Sequence, residues 1–223
     1  MDRKLFAQAV CKFLLGVVLV GALLFLPAGG FAYWQAWLLL GILFVPMFCA
    51  GLVMLAKNPA LLKKRLNAKE EQAEQKTVVL LSGLMFLAAF VAAGLSFRFQ
   101  FLMLPRWVSL AAALLFLAAY ALYAEVMREN EYLSRTIEVQ EGQRVVDTGM
   151  YGIVRHPMYA VTLLLFLAMP LVLGSVIAFV ILLCYIPIIV KRIRNEEAVL
   201  AAGLAGYTEY MRRVRYRLIP FIW

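Results

Sequence analysis

The sequence is poor in charge and in the residues that bind metal ions. Of its 223 residues 16% are charged and 65% are hydrophobic, whereas a soluble domain has about 25% charged residues. It has one histidine and three cysteines, and the cysteines, Cys11, Cys49 and Cys184, lie far apart in apolar segments. Transition-metal sites need clustered histidine and cysteine ligands. We therefore expect no bound metal and expect the cysteines to be small buried hydrophobic residues.

Several signatures of other protein classes are also missing. The sequence has no Gly-x-Gly-x-x-Gly fingerprint and no Walker loop, which excludes the common dinucleotide- and triphosphate-binding folds. No acidic pair lies inside the apolar segments, and Glu125 stands near the end of its segment. Transporters coupled to protons or sodium usually place carboxylates near the middle of the membrane, so a transporter is disfavoured.

The long apolar segments predict a bundle of membrane-spanning helices. A helix needs about 20 apolar residues to cross a bilayer, and four such segments predict helices at about 5–26, 33–56, 77–97 and 105–127. No charged residue lies between His156 and Lys191. Because this stretch is too long for one span, it predicts a helical hairpin with arms at 157–170 and 174–190. A further helical stretch is expected from 188 to 202.

Residues 60–76 have a helical pattern with leucines on one side and basic residues elsewhere. This pattern fits an amphipathic helix at the membrane surface or a solvated connecting helix, and the sequence does not choose between them.

The net charge of +9 is distributed unevenly along the chain. Nearly all basic residues fall near the N-terminus or within 57–76, 128–155 and 191–223, whereas the opposite side has only Arg98 and Arg106. The positive-inside rule then places the N-terminus, the loop 128–155 and the tail 191–223 in the cytoplasm. Topology explains the charge, so we expect no nucleic-acid partner.

The only histidine lies in a polar run at the start of the predicted hairpin. Pro157 is typical of a first helical turn, and the N–H groups and dipole of a helix start favour an anion. Arg155 would strengthen that preference, and Tyr151 and Tyr159 flank the cluster. The alternative is that Arg155 and His156 only anchor the helix at the membrane interface.

Two other segments are predicted to lie near this cluster. Arg192 and Glu196 are one helical turn apart, and the hairpin returns them to the side of His156; alone, they could be an ordinary salt bridge within a helix. Residues 143–149 predict a short extended segment and turn, whose backbone groups could bind a flat heterocycle.

Together these residues resemble the isoprenylcysteine carboxyl methyltransferase family and the related phospholipid methyltransferases. The resemblance runs over about residues 125–220. Its motifs are Arg155-His156-Pro157-Met158-Tyr159, then Arg192 with Glu196-Glu197, then Gly206-Tyr207-Thr208-Glu209-Tyr210. The family often has glycine two residues after the motif tyrosine, where this chain has Val161. We expect closer packing or an altered substrate channel there.

The resemblance implies an integral membrane enzyme that transfers a methyl group from S-adenosyl-L-methionine without a Rossmann fold. The implied fold is all-α: a polytopic bundle of four long spans plus a C-terminal hairpin, with a cytoplasmic cofactor-binding segment and C-terminal helices. Residues 1–127 would form the N-terminal transmembrane region and residues 128–223 the catalytic region. The implied catalytic residues are Arg192, His156 and Arg155. The implied cofactor-binding residues are Gln143, Arg144, Val145, Val146, Tyr151, His156, Pro157, Met158, Tyr159, Glu196 and Glu197.

The implied partners are membrane lipids and a lipophilic methyl acceptor. A carboxylate such as that of an isoprenylated cysteine is the leading acceptor, and a phospholipid amine or a thiol is the alternative. A carboxylate needs no general base, whereas an amine would make His156 the leading base. A lipid-binding protein without catalysis is the alternative from another class. We expect the enzyme in a prokaryotic plasma (inner) membrane, with its active site facing the cytoplasm.

Overall fold

The computed structural model describes residues 3–57, 59, 62, 66, 73–133 and 137–223, without the side chains of residues 3 and 73–76. The predicted amphipathic helix at 60–76 therefore lies mostly outside the described residues. Outside those gaps the regular structure is helical, apart from one isolated antiparallel bridge between Met103 and Ser175. The prediction of an all-α polytopic bundle is confirmed.

The helices follow the apolar segments of the sequence closely. They are α1 (Arg3–Ala28), α2 (Trp34–Lys57), α3 (Ala73–Phe99), α4 (Arg106–Glu129), α5 (Pro157–Val172), α6 (Val176–Leu183), α7 (Tyr185–Gly203) and α8 (Tyr207–Arg213), with a single 3-10 turn at Gly149–Gly152. The four long predicted helices are confirmed as α1 to α4. The extended segment predicted at 143–149 has no regular structure before that turn.

Five of the described segments are long and apolar enough to cross a membrane. They are Lys4–Ala28, Trp34–Lys57, Thr77–Phe99, Arg106–Glu129 and Val176–Gly203, and the shorter Pro157–Val172 is also apolar. The chain is therefore an integral membrane protein. The predicted hairpin corresponds to α5 followed by the return arm α6 and α7.

The return arm of the hairpin is interrupted, which the sequence did not predict. We expected one helix at 174–190, but α6 ends at Leu183 and α7 begins at Tyr185. Pro187 falls in the first turn of α7, where its missing N–H costs no helical hydrogen bond. The chain thus breaks before the proline, and Arg192 and Glu196 belong to α7.

Contacts within the chain group it into two compact units. Unit 1 comprises Met1–Lys69, Gly83–Phe116 and Leu167–Leu183, and unit 2 comprises Glu70–Ser82, Leu117–Phe166 and Cys184–Trp223. The division into 1–127 and 128–223 stays a prediction.

Unit 1 is held together by close helix packing and a few buried polar contacts. The Tyr33 hydroxyl donates a hydrogen bond of 2.6 Å to the Leu173 carbonyl, and its ring stacks on Phe97 with centroids 4.4 Å apart. The Ser175 hydroxyl donates to the Ser96 hydroxyl at 3.0 Å. Gly94 lets α3 approach α1 so closely that an added Cβ would lie 2.6 Å from the Leu24 carbonyl oxygen.

The three cysteines correct one expectation. All are free thiols, and all are exposed, as are many large apolar residues of the spanning helices. The outer face of such a helix meets lipid hydrocarbon, which is as apolar as leucine. Low polarity in these segments therefore does not distinguish the interior from the lipid-facing surface.

Unit 2 carries the polar segments of the sequence. A hydrophobic cluster of Leu204, Tyr207, Tyr210 and Val214 packs against Val139, Val145, Leu200 and Met211. At the end of α4, the Glu129 carboxylate accepts a hydrogen bond of 3.0 Å from the Met150 backbone N–H. Gly149 adopts a positive φ of 50°, and a Cβ there would overlap the Glu129 carboxylate. This contact fixes the backbone that presents Tyr151.

Two glycines of α3 give a matched test of the close approach in unit 1. We expect Gly94→Ala to destabilise the protein by about 1–3 kcal/mol, as overpacking does, because its Cβ would meet the backbone of α1. Gly83→Ala, with nothing within 4 Å of the added Cβ, should leave stability unchanged or slightly raised. Thermal unfolding in detergent micelles measures both. Equal midpoints for the two variants would contradict the packing described for Gly94.

Candidate functional site

A cavity within unit 2 collects most of the residues singled out by sequence. It contains about 820 Å³ of unfilled space, part of which is open to solvent. Its walls come from segments 130–133, 137–146 and 151–159 and from helices α7 and α8. The predicted site residues that line it are Gln143, Arg144, Val145, Val146, Tyr151, Arg155, His156, Met158, Tyr159, Arg192 and Glu196.

Glu197 is the centre of a buried ion cluster behind this wall. Its Oε1 accepts a hydrogen bond of 2.7 Å from Arg155 Nε and lies 3.3 Å from His156 Nε2. Its Oε2 accepts a hydrogen bond of 2.8 Å from Arg217 Nε. The side chains of Arg155 and Glu197 are 7% and 8% exposed, so the charges need each other. Glu197 is thus a structural carboxylate, and its expected role as a cofactor-binding residue stays a prediction.

Arg155 is occupied on its other side by backbone carbonyls. Its Nη1 donates to the carbonyls of Val214 at 2.8 Å and Arg215 at 2.9 Å. Its Nη1 thus holds the C-terminal segment in place, while its Nε is paired with Glu197 on α7. The role expected for Arg155 in catalysis stays a prediction. Arg155 is a positioning residue at the edge of the cavity.

The helix start at Pro157 is confirmed, and the C-terminal segment contacts the residues just before it. Pro157 is completely buried. The backbone N–H groups of Arg155 and His156 donate to the carbonyls of Tyr216 and Arg217, both at 2.9 Å. The C-terminal segment thus covers part of the entrance of α5, and the cofactor-binding role expected for Pro157 stays a prediction.

A second polar cluster faces the cavity directly. The Tyr159 hydroxyl donates a short hydrogen bond to Glu196 Oε2 and accepts one of 2.9 Å from Arg192 Nε. The Arg192 guanidinium also lies 5.9 Å from the Tyr159 ring centroid. This arrangement joins α5 to α7 and places a carboxylate, a guanidinium and an aromatic ring on one wall.

Other predicted residues also line the cavity. Gln143 closes a turn, since its Oε1 accepts a hydrogen bond of 2.8 Å from the Gln140 N–H. The Tyr151 carbonyl accepts a hydrogen bond of 2.8 Å from the Tyr210 hydroxyl. Burial raises the pKa of Tyr151, so its hydroxyl remains neutral. Val161 is 5% exposed and is packed inside the protein; its effect on a substrate channel stays a prediction.

Sequence reasoning missed other residues of the cavity. They are Asn130, Tyr132, Leu133, Ile137, Glu138, Leu200, Leu204, Tyr207 and Tyr210. Tyr207 and Tyr210 belong to a motif quoted above, and Leu200 follows Glu196 by one helical turn, so a signal existed for these. The residues from 130–133 and 137–138 belong to no motif, and only the fold brings them to the site.

Comparison with known proteins supports the resemblance over part of the chain. Residues 110–202 match the model of the isoprenylcysteine carboxyl methyltransferase family, which confirms the similarity drawn from the motifs. A stretch of 91 residues is 32% identical to a Delta(14)-sterol reductase of Mus musculus and covers 40% of this chain. The chain spans about a fifth of that relative's length, since the match covers 22% of it.

No group of three or more histidine, cysteine, aspartate or glutamate side chains is arranged to hold a metal ion in the part of the chain that the structure describes. The absence of metal from the reaction stays a prediction.

The adjacent glutamates allow a matched test of the ion cluster. We expect Glu197→Gln to lower the free energy of unfolding by about 3 kcal/mol, because removing one partner leaves buried cations uncompensated. Glu196→Gln should cost less than about 1 kcal/mol, since Glu196 is only half-buried at the cavity wall. Thermal and denaturant unfolding in micelles would measure both. A Glu197→Gln protein as stable as the Glu196→Gln protein would contradict the structural role of Glu197.

Proposed function

We propose that this protein is a membrane-embedded methyltransferase that uses S-adenosyl-L-methionine and methylates a lipid-like or small apolar acceptor. The observation that carries the proposal is the Tyr159–Arg192–Glu196 cluster on the wall of a cavity. These residues lie within the region that matches the methyltransferase family.

The chemistry of the cavity fits the cofactor. The Glu196 carboxylate can accept hydrogen bonds from ribose hydroxyls or from an ammonium group. The rings of Tyr151 and Tyr159 can face a sulfonium, a contact worth up to about 2 kcal/mol when desolvated. Arg144, which is exposed at the cavity wall, can pair with the cofactor carboxylate. When bound, the cofactor supplies an electrophilic methyl group on its sulfonium sulfur.

The residues of this chain would act mainly by positioning. Methyl transfer is an in-line displacement, so holding donor and acceptor in contact supplies much of the rate. Arg192 would attract an acceptor carboxylate and disfavour a cationic amine. An acceptor carboxylate held by Arg192 would take the methyl group without losing a proton, so this chain would need no general base for that acceptor. His156, whose Nε2 lies 3.3 Å from Glu197, then serves to orient the wall.

The charge distribution supports an orientation for the proposed enzyme. The loop 128–155, the tail 191–223 and the N-terminus carry most of the basic residues, and the positive-inside rule assigns them to the cytoplasm. The cavity would then open where a soluble cofactor is available. We place the protein in a prokaryotic plasma membrane.

A reductase is the second candidate function, because of the match to a sterol reductase. A reductase needs a source of electrons, and Arg144 and Arg192 on the cavity wall would also suit an anionic reduced nicotinamide dinucleotide. Calorimetry with the purified protein separates the candidates. Binding of S-adenosylhomocysteine supports the methyltransferase, binding of the reduced dinucleotide alone supports the reductase, and binding of neither leaves a lipid-binding protein.

Glu196 provides the first test of cofactor binding. Glu196→Gln should weaken binding of S-adenosylhomocysteine by about 1–3 kcal/mol, or about 5- to 150-fold, through loss of a charged hydrogen bond. The matched control is Glu209→Gln, an exposed glutamate of α8, which should leave affinity unchanged. Isothermal titration calorimetry measures both. Equal affinity of the Glu196→Gln and unmodified proteins would remove Glu196 from the cofactor site.

Arg192 provides the test of the acceptor. With a labelled methyl donor and total membrane lipids, small apolar acids and thiols as acceptors, we expect a methyl ester, recognised by release of labelled methanol in base. Arg192→Gln should lower kcat/KM for the acid about 10- to 100-fold, whereas Arg194→Gln, exposed on the same helix, should not. Base-stable products that survive Arg192→Gln would instead identify an amine or thiol acceptor.

A further inference from the structure

Tyr207 presents an unsatisfied polar group at the cavity. It is the first residue of α8, its side chain is 4% exposed, and it lines the cavity. Its hydroxyl is buried and has no hydrogen-bond partner among the described residues. Such groups are rare in folded proteins, because a hydroxyl that leaves water without gaining a partner opposes folding.

Packing accounts for the Tyr207 ring but not for its hydroxyl. The ring belongs to the hydrophobic cluster with Leu204, Tyr210 and Val214, and it lies 5.7 Å from the Tyr210 ring. Phenylalanine would fill that space equally well. Tyr210 shows the usual solution, since its hydroxyl donates to the Tyr151 carbonyl at 2.8 Å. Two neighbouring tyrosines of one helix therefore differ in whether the protein itself satisfies the hydroxyl.

The electrostatics around Tyr207 indicate which ligand group would complement it. Burial, together with the carboxylates of Glu197 and Glu196, raises the pKa of Tyr207. The hydroxyl is consequently neutral, and the effect of the two carboxylates on it exceeds the opposing effect of Arg155. An N–H or O–H donor of a ligand is favoured in that position.

We propose that the Tyr207 hydroxyl accepts a hydrogen bond from an ammonium or hydroxyl group of the ligand held in this cavity. The proposal rests on the proposed function for the identity of that ligand, which is S-adenosylmethionine or its demethylated product. Tyr207 thereby becomes a binding residue contributed by α8, beyond the matched region 110–202. A protein group left unpaired until the ligand arrives also favours ligands that carry a donor there over analogues that lack it.

The test compares Tyr207→Phe with Tyr210→Phe in the full chain, with and without S-adenosylhomocysteine. Without the ligand, Tyr207→Phe should unfold at the same temperature as the unmodified protein or higher, because no protein hydrogen bond is lost. Its affinity for S-adenosylhomocysteine should fall about 2- to 10-fold. Tyr210→Phe loses a buried hydrogen bond to the backbone and should unfold at a lower temperature without the ligand.

Each result of this comparison decides the assignment. A ligand-free Tyr207→Phe protein that unfolds at a lower temperature would mean that the hydroxyl has a protein partner, and would overturn the inference. If the unmodified protein binds S-adenosylhomocysteine and Tyr207→Phe binds it equally well, the inference fails while the proposed function stands. An unmodified protein that does not bind this ligand overturns the proposed function and, with it, this role of Tyr207.

Discussion

The site depends on one buried carboxylate. Glu197, on α7, contacts Arg155, His156 and Arg217. Arg155 and His156 lie just before α5, and Arg217 lies in the C-terminal segment. A carboxylate cannot remain charged in a largely apolar interior without such partners. Pairing them therefore requires three distant segments of unit 2 to meet at one point. The backbone bonds from Arg155 and His156 to Tyr216 and Arg217 extend the same junction.

Two adjacent glutamates of α7 at this junction have different surroundings. Glu197 points into the protein and holds the segments together, whereas Glu196 points to the cavity and accepts from Tyr159. Tyr159 in turn accepts from Arg192. This part of the wall is preorganised, because Tyr159, Arg192 and Glu196 orient one another. The proposed methyl transfer would rely on such positioning more than on proton transfer, which suits a site whose histidine contacts a structural carboxylate.

Much of the fold could be predicted from the sequence because membranes impose a simple length rule. Apolar segments of about 20 residues must be helical, and the bounds of α1 to α4 agree with the sequence-based expectation to within a few residues. The helix start at Pro157 also followed from local chemistry. The break at Cys184 and the exposure of the three cysteines did not, because apolar residues face either lipid or protein and composition does not distinguish the two.

For the candidate site, the sequence by itself determined which residue types are available and roughly which segments carry them. The motifs singled out Tyr159, Arg192 and Glu196, because polar residues stand out against an apolar background. Only the tertiary structure decided which charges are committed to one another. It pairs Arg155 and Glu197 inside the protein, bonds the backbone just before α5 to the C-terminal segment, and leaves the Tyr207 hydroxyl without a partner among the described residues. Pairing depends on distance in space, and the residues in these contacts, which are 42 to 61 positions apart in the chain, give no local signal of it.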